Sequence, residues 1–324
     1  MNEMYMKVNW SSADISANLG GVVHAFSSDA SGEVIDYVKR NNFNDVDAYK
    51  IQDIEIDLDA IPTFCHEVQS RMPQMDNGSK FTVFAGIPGA TKEEGRIVYW
   101  ALSRSLGDQL VQHTNGDRIS FIFDRGGRRM SEGGRYHQGN EGGQPHTDNV
   151  NYNEEYDYLA LLADTNAFIG GGNGIVSGHR VYETLKDADP KFIETLQGDF
   201  WWESRGVDEE DSTFRAPILK MEGDVPKWRF LEAYLRSASQ REDAPFTEDE
   251  ENAIEALKSA IYEPNNCFIV HLEEGQTLVF NDNEFFHMRV GVFKDRDKPC
   301  HEYNFGRCQN RLRLRTLIRA NRGK

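Results

Sequence analysis

Between Ser120 and Ala320 the chain breaks into eight short runs rich in β-branched, leucine and aromatic residues, each bounded by turn formers. They are "SFIFD", "YLALLAD", "GIVSG", "RAPILKM", "CFIVHL", "QTLVFN", "FHMRVGVF" and "RLRLRTLIRA". Runs this short predict strands. Helices are signalled around them. "TKEEGRIVYWALSRSLG" opens with a capping box, Thr91 and Glu94, carries an apolar stripe through Val98, Ala101 and Leu102, and stops at Gly107. "FTEDEENAIEALKSAIYE" repeats that design with Thr247 and Glu250, then Ile254, Leu257 and Ile261. A third helix is marked by Asp189-Pro190 at its start and Gly198 at its end. The fold class expected is α+β, mainly β: a sandwich or jelly roll with flanking helices and a helical insertion. No repeat of fixed period is visible.

Composition sets the company such a fold keeps. The chain has 324 residues, enough to bury a large core, and a net charge of −17, which argues against nucleic acid or an anionic membrane as partner. "DRGGRR" (124–129) resembles an RNA-binding arginine-glycine segment, but it is a single copy in an acidic protein and reads as a loop. No stretch is apolar enough to span a membrane, and the start lacks the layout of a signal peptide, so a cytoplasmic protein is expected. Cys65, Cys267, Cys300 and Cys308 are spaced neither as a disulfide framework nor as a zinc ribbon.

The chemistry concentrates near His146. "DRGGRRMSEGGRYHQGNEGGQP" (124–145) is a long polar, glycine-rich loop that runs into His146-Thr147-Asp148, and loops of this length are usually functional or disordered. A histidine and a carboxylate two positions apart on an extended chain point to one side. That pair alone is weak, because His271-Leu272-Glu273 has the same form. His146 and Asp148 are distinguished by their company downstream: "GQTLVFNDNEFFHMRV" ends near a further histidine, His287, and "RLRLRTLIR" is a strand with arginines at alternate positions. Two histidines and one carboxylate can occupy three sites on ferrous iron and leave three open. A strand arginine can then hold the carboxylate of a co-substrate. His271 lies only 16 positions before His287, room for one hairpin, and is read as structural. "GGGNG" (170–174) has neither a following lysine nor GxGxxG spacing and is read as a turn rather than a phosphate loop.

In these segments the chain resembles the taurine-dioxygenase-like, or clavaminate-synthase-like, branch of the Fe(II)/2-oxoglutarate-dependent oxygenases. The resemblance runs from about Leu106 to Arg319, through "LGDQLVQHTNGDRISFIFDRG", "YHQGNEGGQPHTD", "GGNGIVSGHRVYETL", "EGQTLVFNDNEFFHMR" and the closing arginine strand, in the family's order. It implies a double-stranded β-helix (jelly-roll) core over 79–189 and 263–324. Residues 1–78 would form an N-terminal α/β extension, and 190–262 an acidic, partly helical insertion or lid. It implies His146, Asp148 and His287 as ligands of Fe(II), with 2-oxoglutarate and O2 as co-substrates. Arg311 matches the first arginine of the family's terminal pair, which grips 2-oxoglutarate. Arg315 matches the second, which faces the substrate, and Arg313 is a further candidate for the co-substrate. Asn173 stands near the position of a threonine that contacts 2-oxoglutarate. Gln138, Asn140 and Asn149 are candidates for substrate contact.

Asn281-Asp282-Asn283 replaces the family's Asp-Asn-Arg, and a wide gap between His287 and Arg311 reads as a hairpin insertion through "KDRDKPCHEYNFGRC". An aspartate at 148 favours hydroxylation, because halogenating relatives carry a small residue there. A spare arginine suggests a small substrate with a carboxylate, such as an amino acid or derivative. Desaturation, epoxidation, demethylation and a carrier-tethered aminoacyl substrate stay open, as does a homo-oligomer. The readings from other classes are a metal-dependent oxidase that does not use 2-oxoglutarate and a non-catalytic jelly-roll binding protein.

Overall fold

A computed structural model describes residues 6–43, 46–113, 115–123, 143–148, 150, 156–167, 170–204, 212–289 and 311–322. Its strands are β1 (Val23–His24), β2 (Phe81–Phe84), β3 (Gly107–Gln109), β4 (Ser120–Ile122), β5 (Tyr158–Thr165), β6 (Asn173–Ser177), β7 (Asp199–Glu203), β8 (Thr213–Pro217), β9 (Leu219–Glu222), β10 (Val225–Trp228), β11 (Cys267–Val270), β12 (Thr277–Phe280), β13 (Phe285–Arg289) and β14 (Leu312–Ala320). Its helices are α1 (Ser12–Ala17), α2 (Leu19–Val22), α3 (Ser28–Arg40), α4 (Pro62–Gln69), α5 (Met72–Asn77), α6 (Lys92–Leu106), α7 (Gly178–Ala188), α8 (Pro190–Leu196), α9 (Glu232–Arg241) and α10 (Glu248–Tyr262).

Two sheets make a jelly-roll core. The major sheet runs β1-β2-β12-β5-β14-β3, with β4 also on β14, and the minor sheet runs β11-β6-β13. β5 shows why the core strands read as unbroken apolar runs. Tyr158, Ala160 and Leu162 face a core shared with α3, α4 and α6, whereas Leu159, Leu161 and Ala163 face the space between the sheets. With both faces covered, no polar alternation is required. A third core, built on α7 to α10 and β7 to β10, packs on Val176, Phe286 and Met288 of the minor sheet. That layer contains most of the acidic segment 190–262. Among the described residues no helix is long and apolar enough to cross a membrane.

Local sequence accounts for the helix starts. Thr91 with Glu94 and Thr247 with Glu250 form complete capping boxes on α6 and α10, and the Asp189 side chain caps α8, with Pro190 in its first turn. α7 is not among the helices the sequence predicts. It follows β6 without a loop, because the Ser177 side chain caps it by accepting from the Arg180 N–H. "RAPILKM", expected as one strand, is split into β8 and β9, and the Ile218 N–H between them bonds the Leu196 carbonyl.

The 3-10 turn Asp282–Glu284 that joins β12 to β13 is held by a buried charge cluster. Glu284 accepts from Lys80 Nζ at 2.6 Å, His179 Nε2 at 2.7 Å and Lys227 Nζ at 2.7 Å. Burial by itself would raise the Glu284 carboxyl, but the His179 hydrogen bond and the two ammonium groups outweigh it and lower it to about 2. A carboxyl lowered on folding adds stability that is present above its unfolded value and lost as pH falls through its folded one. Glu284→Gln is therefore expected to cost about 3 kcal/mol at pH 7 in urea denaturation. Its difference from the wild type should shrink as the pH is taken from 5 towards 2.

Candidate active site

Two main-chain hydrogen bonds assemble the site. His146 N–H donates to the His287 carbonyl at 2.9 Å and His287 N–H to the His146 carbonyl at 3.0 Å, a single antiparallel bridge at the edge of the minor sheet. The two imidazole rings lie 4.2 Å apart, centre to centre. Asp148, two residues on, turns its carboxylate to both: Oδ1 is 3.8 Å from His146 Nε2, and Oδ2 is 3.7 Å from His287 Nε2. The His146 ring nitrogen Nδ1 lies 2.8 Å from the Gln144 carbonyl. It must carry the hydrogen and leave Nε2 as the electron-pair donor.

One ligand atom from each of His146, Asp148 and His287 lies within 4.8 Å of the others. Donors bonded at 2.0 to 2.2 Å to one ion stand roughly 3 to 4 Å apart, so this set fits a divalent metal with little movement. The charges of His146 and Asp148 are suited to it, whereas His287 would have to give up a proton. Burial, and then the neighbouring His287, lower His146 to about 3, which keeps it a neutral ligand. Burial would raise the Asp148 carboxyl, but Arg315, His287 and His146 together hold it well below the ordinary carboxylate range. Burial opposes the His287 cation, yet Asp282 and Asp148 more than offset it and raise that group.

The three arginines of the last strand go to three places. Arg315 Nη1 pairs with Asp148 Oδ1 at 2.9 Å, and its Nε donates to Gln112 Oε1 at 2.9 Å. Arg313 donates to the Thr165 carbonyl at 2.7 Å and to Asn166 Oδ1 at 2.6 Å. Arg311 lies against the "GGGNG" turn, with Nη2 3.3 Å from the Gly171 carbonyl. Gly171 has φ +75°, and a Cβ there would come within 2.9 Å of Arg311 Nε, so glycine both allows the turn and seats the arginine. Asn173, at the start of β6, is buried, and its Nδ2 has no partner among the described residues. The shared face expected for the arginines thus does not give them shared partners. The register of β14 on β5 shifts between Leu312 and Arg313 and separates Arg311 from the other two.

A cleft of about 780 Å³ opens beside Asp148, lined in part by Thr147, Tyr156, Trp228 and Arg229. The Thr147 N–H bonds the Phe230 carbonyl at 2.8 Å, which ties the segment after β10 to the histidine strand. Gln138, Asn140 and Asn149 lie outside the described residues, as do most of the glycine-rich loop and the insertion before Arg311. Two contributors were not among the expected site residues: Tyr156, and Asp282 of the altered Asp-Asn-Arg motif, whose carboxylate accepts from the Asp148 N–H at 2.7 Å.

Comparison with known proteins agrees with this geometry. The profile of the family described as "Taurine catabolism dioxygenase TauD, TfdA family" matches residues 46–302. The chain belongs to the TauD/TfdA family. FR-33289 synthase of Streptomyces rubellomurinus (strain ATCC 31215) is 27% identical over 230 residues, 69% of this chain and 66% of that protein, so the match spans just under two thirds of the relative. Asparagine oxygenase in complex with Fe(II), 2S,3S-3-hydroxyasparagine and succinate superposes with a TM-score of 0.64 at 15% identity, covering 92% of this chain and 93% of that one. The non-heme iron oxygenase OrfP in complex with Fe and alpha-ketoglutaric acid gives 0.62 at 16%, covering 92% and 94%. Both share the fold of this TauD/TfdA member, with its jelly-roll core.

His146→Ala and His287→Ala are each expected to weaken Mn(II) binding by at least about 100-fold in anaerobic titration calorimetry, roughly 3 kcal/mol. Melting temperatures should stay within a few degrees of wild type, because the bridge between the two residues is made by main chain.

Proposed function

We propose that the chain is an Fe(II)- and 2-oxoglutarate-dependent hydroxylase of an unactivated C–H bond in a small carboxylate-bearing substrate such as an amino acid or derivative. The observation that carries this reading is the convergence of His146, Asp148 and His287 beside a seated arginine, Arg311, in a member of a dioxygenase family. His146 and His287 would offer Nε2, and Asp148 one carboxylate oxygen, leaving coordination positions for a chelating co-substrate and dioxygen. The bound iron and 2-oxoglutarate supply the oxidising power, with succinate and carbon dioxide as co-products.

The protein's own part is placement. Gln144 fixes the tautomer of His146, and Arg315 keeps Asp148 anionic. Arg311 would hold the distal carboxylate of 2-oxoglutarate, and the buried, unpaired amide of Asn173 supports a polar ligand there. Arg313 is a weaker candidate, since its guanidinium is already committed to Thr165 and Asn166. Arg315, at the metal site, would take the substrate carboxylate. Gln138, Asn140 and Asn149 remain in the proposal as substrate contacts on sequence grounds alone. The substrate class draws support from two structural relatives: the asparagine oxygenase complex holds 3-hydroxyasparagine, and OrfP has been captured with (3S)-hydroxy-L-Arg. A cytoplasmic location is part of the same reading and rests on the lack of an apolar stretch long enough to span a membrane.

The test is anaerobic addition of Fe(II) and then 2-oxoglutarate, watching for the visible charge-transfer band of the chelate, followed by a screen of amino acids for stimulated succinate release. No band, or no amino acid raising succinate above background, would overturn the reading. Arg311→Lys is expected to raise the 2-oxoglutarate requirement about 30-fold or more, because a point charge does not replace the planar fork and loss of such a contact costs roughly 2 to 5 kcal/mol. Arg315→Gln should instead raise the KM for the prime substrate, with the 2-oxoglutarate requirement changed less than by Arg311→Lys.

A further inference from the structure

Asp282 is fully buried, and its two carboxylate oxygens are used unequally. Oδ2 accepts from the Asp148 N–H at 2.7 Å and from the Tyr156 hydroxyl. Oδ1 has no hydrogen-bond donor among the described residues. It lies 3.3 Å from His287 Nε2, the same atom that faces Asp148 Oδ2 at 3.7 Å. Asp282 has little freedom to turn elsewhere. Its turn is fastened on one side by Glu284 in the Lys80, His179 and Lys227 cluster, and on the other by Asn283 Nδ2 donating to the Tyr156 carbonyl at 3.1 Å. The charged neighbour of Oδ1 is His287 Nε2, an atom that cannot both carry a proton towards Asp282 and bind a metal, so a metal-bound His287 would leave Oδ1 without a donor. An oxygen held at the electron-pair face of a candidate ligand is instead suited to a cation.

We propose that Asp282 is a second carboxylate of the metal centre, a positioning residue whose Oδ1 would stand beside a metal held by His287 Nε2 while Oδ2 fixes the main chain of Asp148. The inference rests on the reading of His146, Asp148 and His287 as the metal ligands. Through Oδ2 it sets the place of the Asp148 ligand, and through Oδ1 it adds negative charge beside His287. The centre therefore has two carboxylates of unequal role, and Arg315 balances only Asp148 directly.

The probe is Co(II) alone, without 2-oxoglutarate, followed by titration calorimetry and by the visible absorption of the bound ion. Asp282→Asn keeps the shape and an acceptor for the Asp148 N–H, so a purely structural Asp282 would leave binding and spectrum unchanged. We expect Co(II) affinity to fall about 10- to 100-fold and the absorption band to shift. Should Asp282→Asn fail to fold, Asp282→Glu against Asp282→Gln makes the same comparison, with the glutamate variant binding more tightly. If the wild type binds Co(II), His146→Ala does not, and Asp282→Asn binds as the wild type does, the inference on Asp282 falls and the metal reading stands. If wild type and His146→Ala bind alike, the metal reading falls and takes this one with it.

Discussion

Everything at the site depends on the two main-chain hydrogen bonds between His146 and His287. They join residues 141 positions apart in sequence at one point, without help from either imidazole. Because the bridge is antiparallel and the chain extended, Asp148 falls on the same side as His146. Three potential ligands are thereby gathered on backbone that needs no metal to hold it.

The gathered groups would repel or desolvate one another unless charge were balanced locally, and the structure balances it pair by pair. Arg315 answers Asp148, while Lys80 and Lys227 answer Glu284 with His179 beside them. Asp282, between these clusters on the same turn, uses one oxygen to brace Asp148 and keeps the other towards His287. In a chain with a net charge of −17, the cations are spent where burial makes an unpaired carboxylate costly.

Around that centre the layers divide the work. The helical layer of α3, α4 and α6 backs the major sheet, and a second layer, from α7 to α10, backs the minor one. The second layer reaches the site itself through the pairing of Phe230 with Thr147, so the cleft beside Asp148 is walled by residues such as Trp228 and Arg229 from the acidic segment. A region expected from the sequence as an acidic, partly helical insertion or lid thus lines part of the cleft.

By itself the sequence determined what acts over a few residues. The capping boxes at Thr91 and Thr247 start their helices, apolar runs such as "YLALLAD" become strands, and the His-x-Asp pair with a later histidine marks the three residues whose donors converge. These signals work because helix caps, strand alternation and turns are short-range properties of the backbone. The tertiary structure alone decided the rest. The commitment of Arg313 to Thr165 and Asn166, the seat of Arg311 on Gly171, and the bonds from Tyr156 and Asp148 to Asp282 all join residues more than a hundred positions apart. Nothing local says which partner each arginine of "RLRLR" will find, or that Asp282 will brace Asp148. Their roles come from the packing of distant strands, which chooses the partner each buried charge must find.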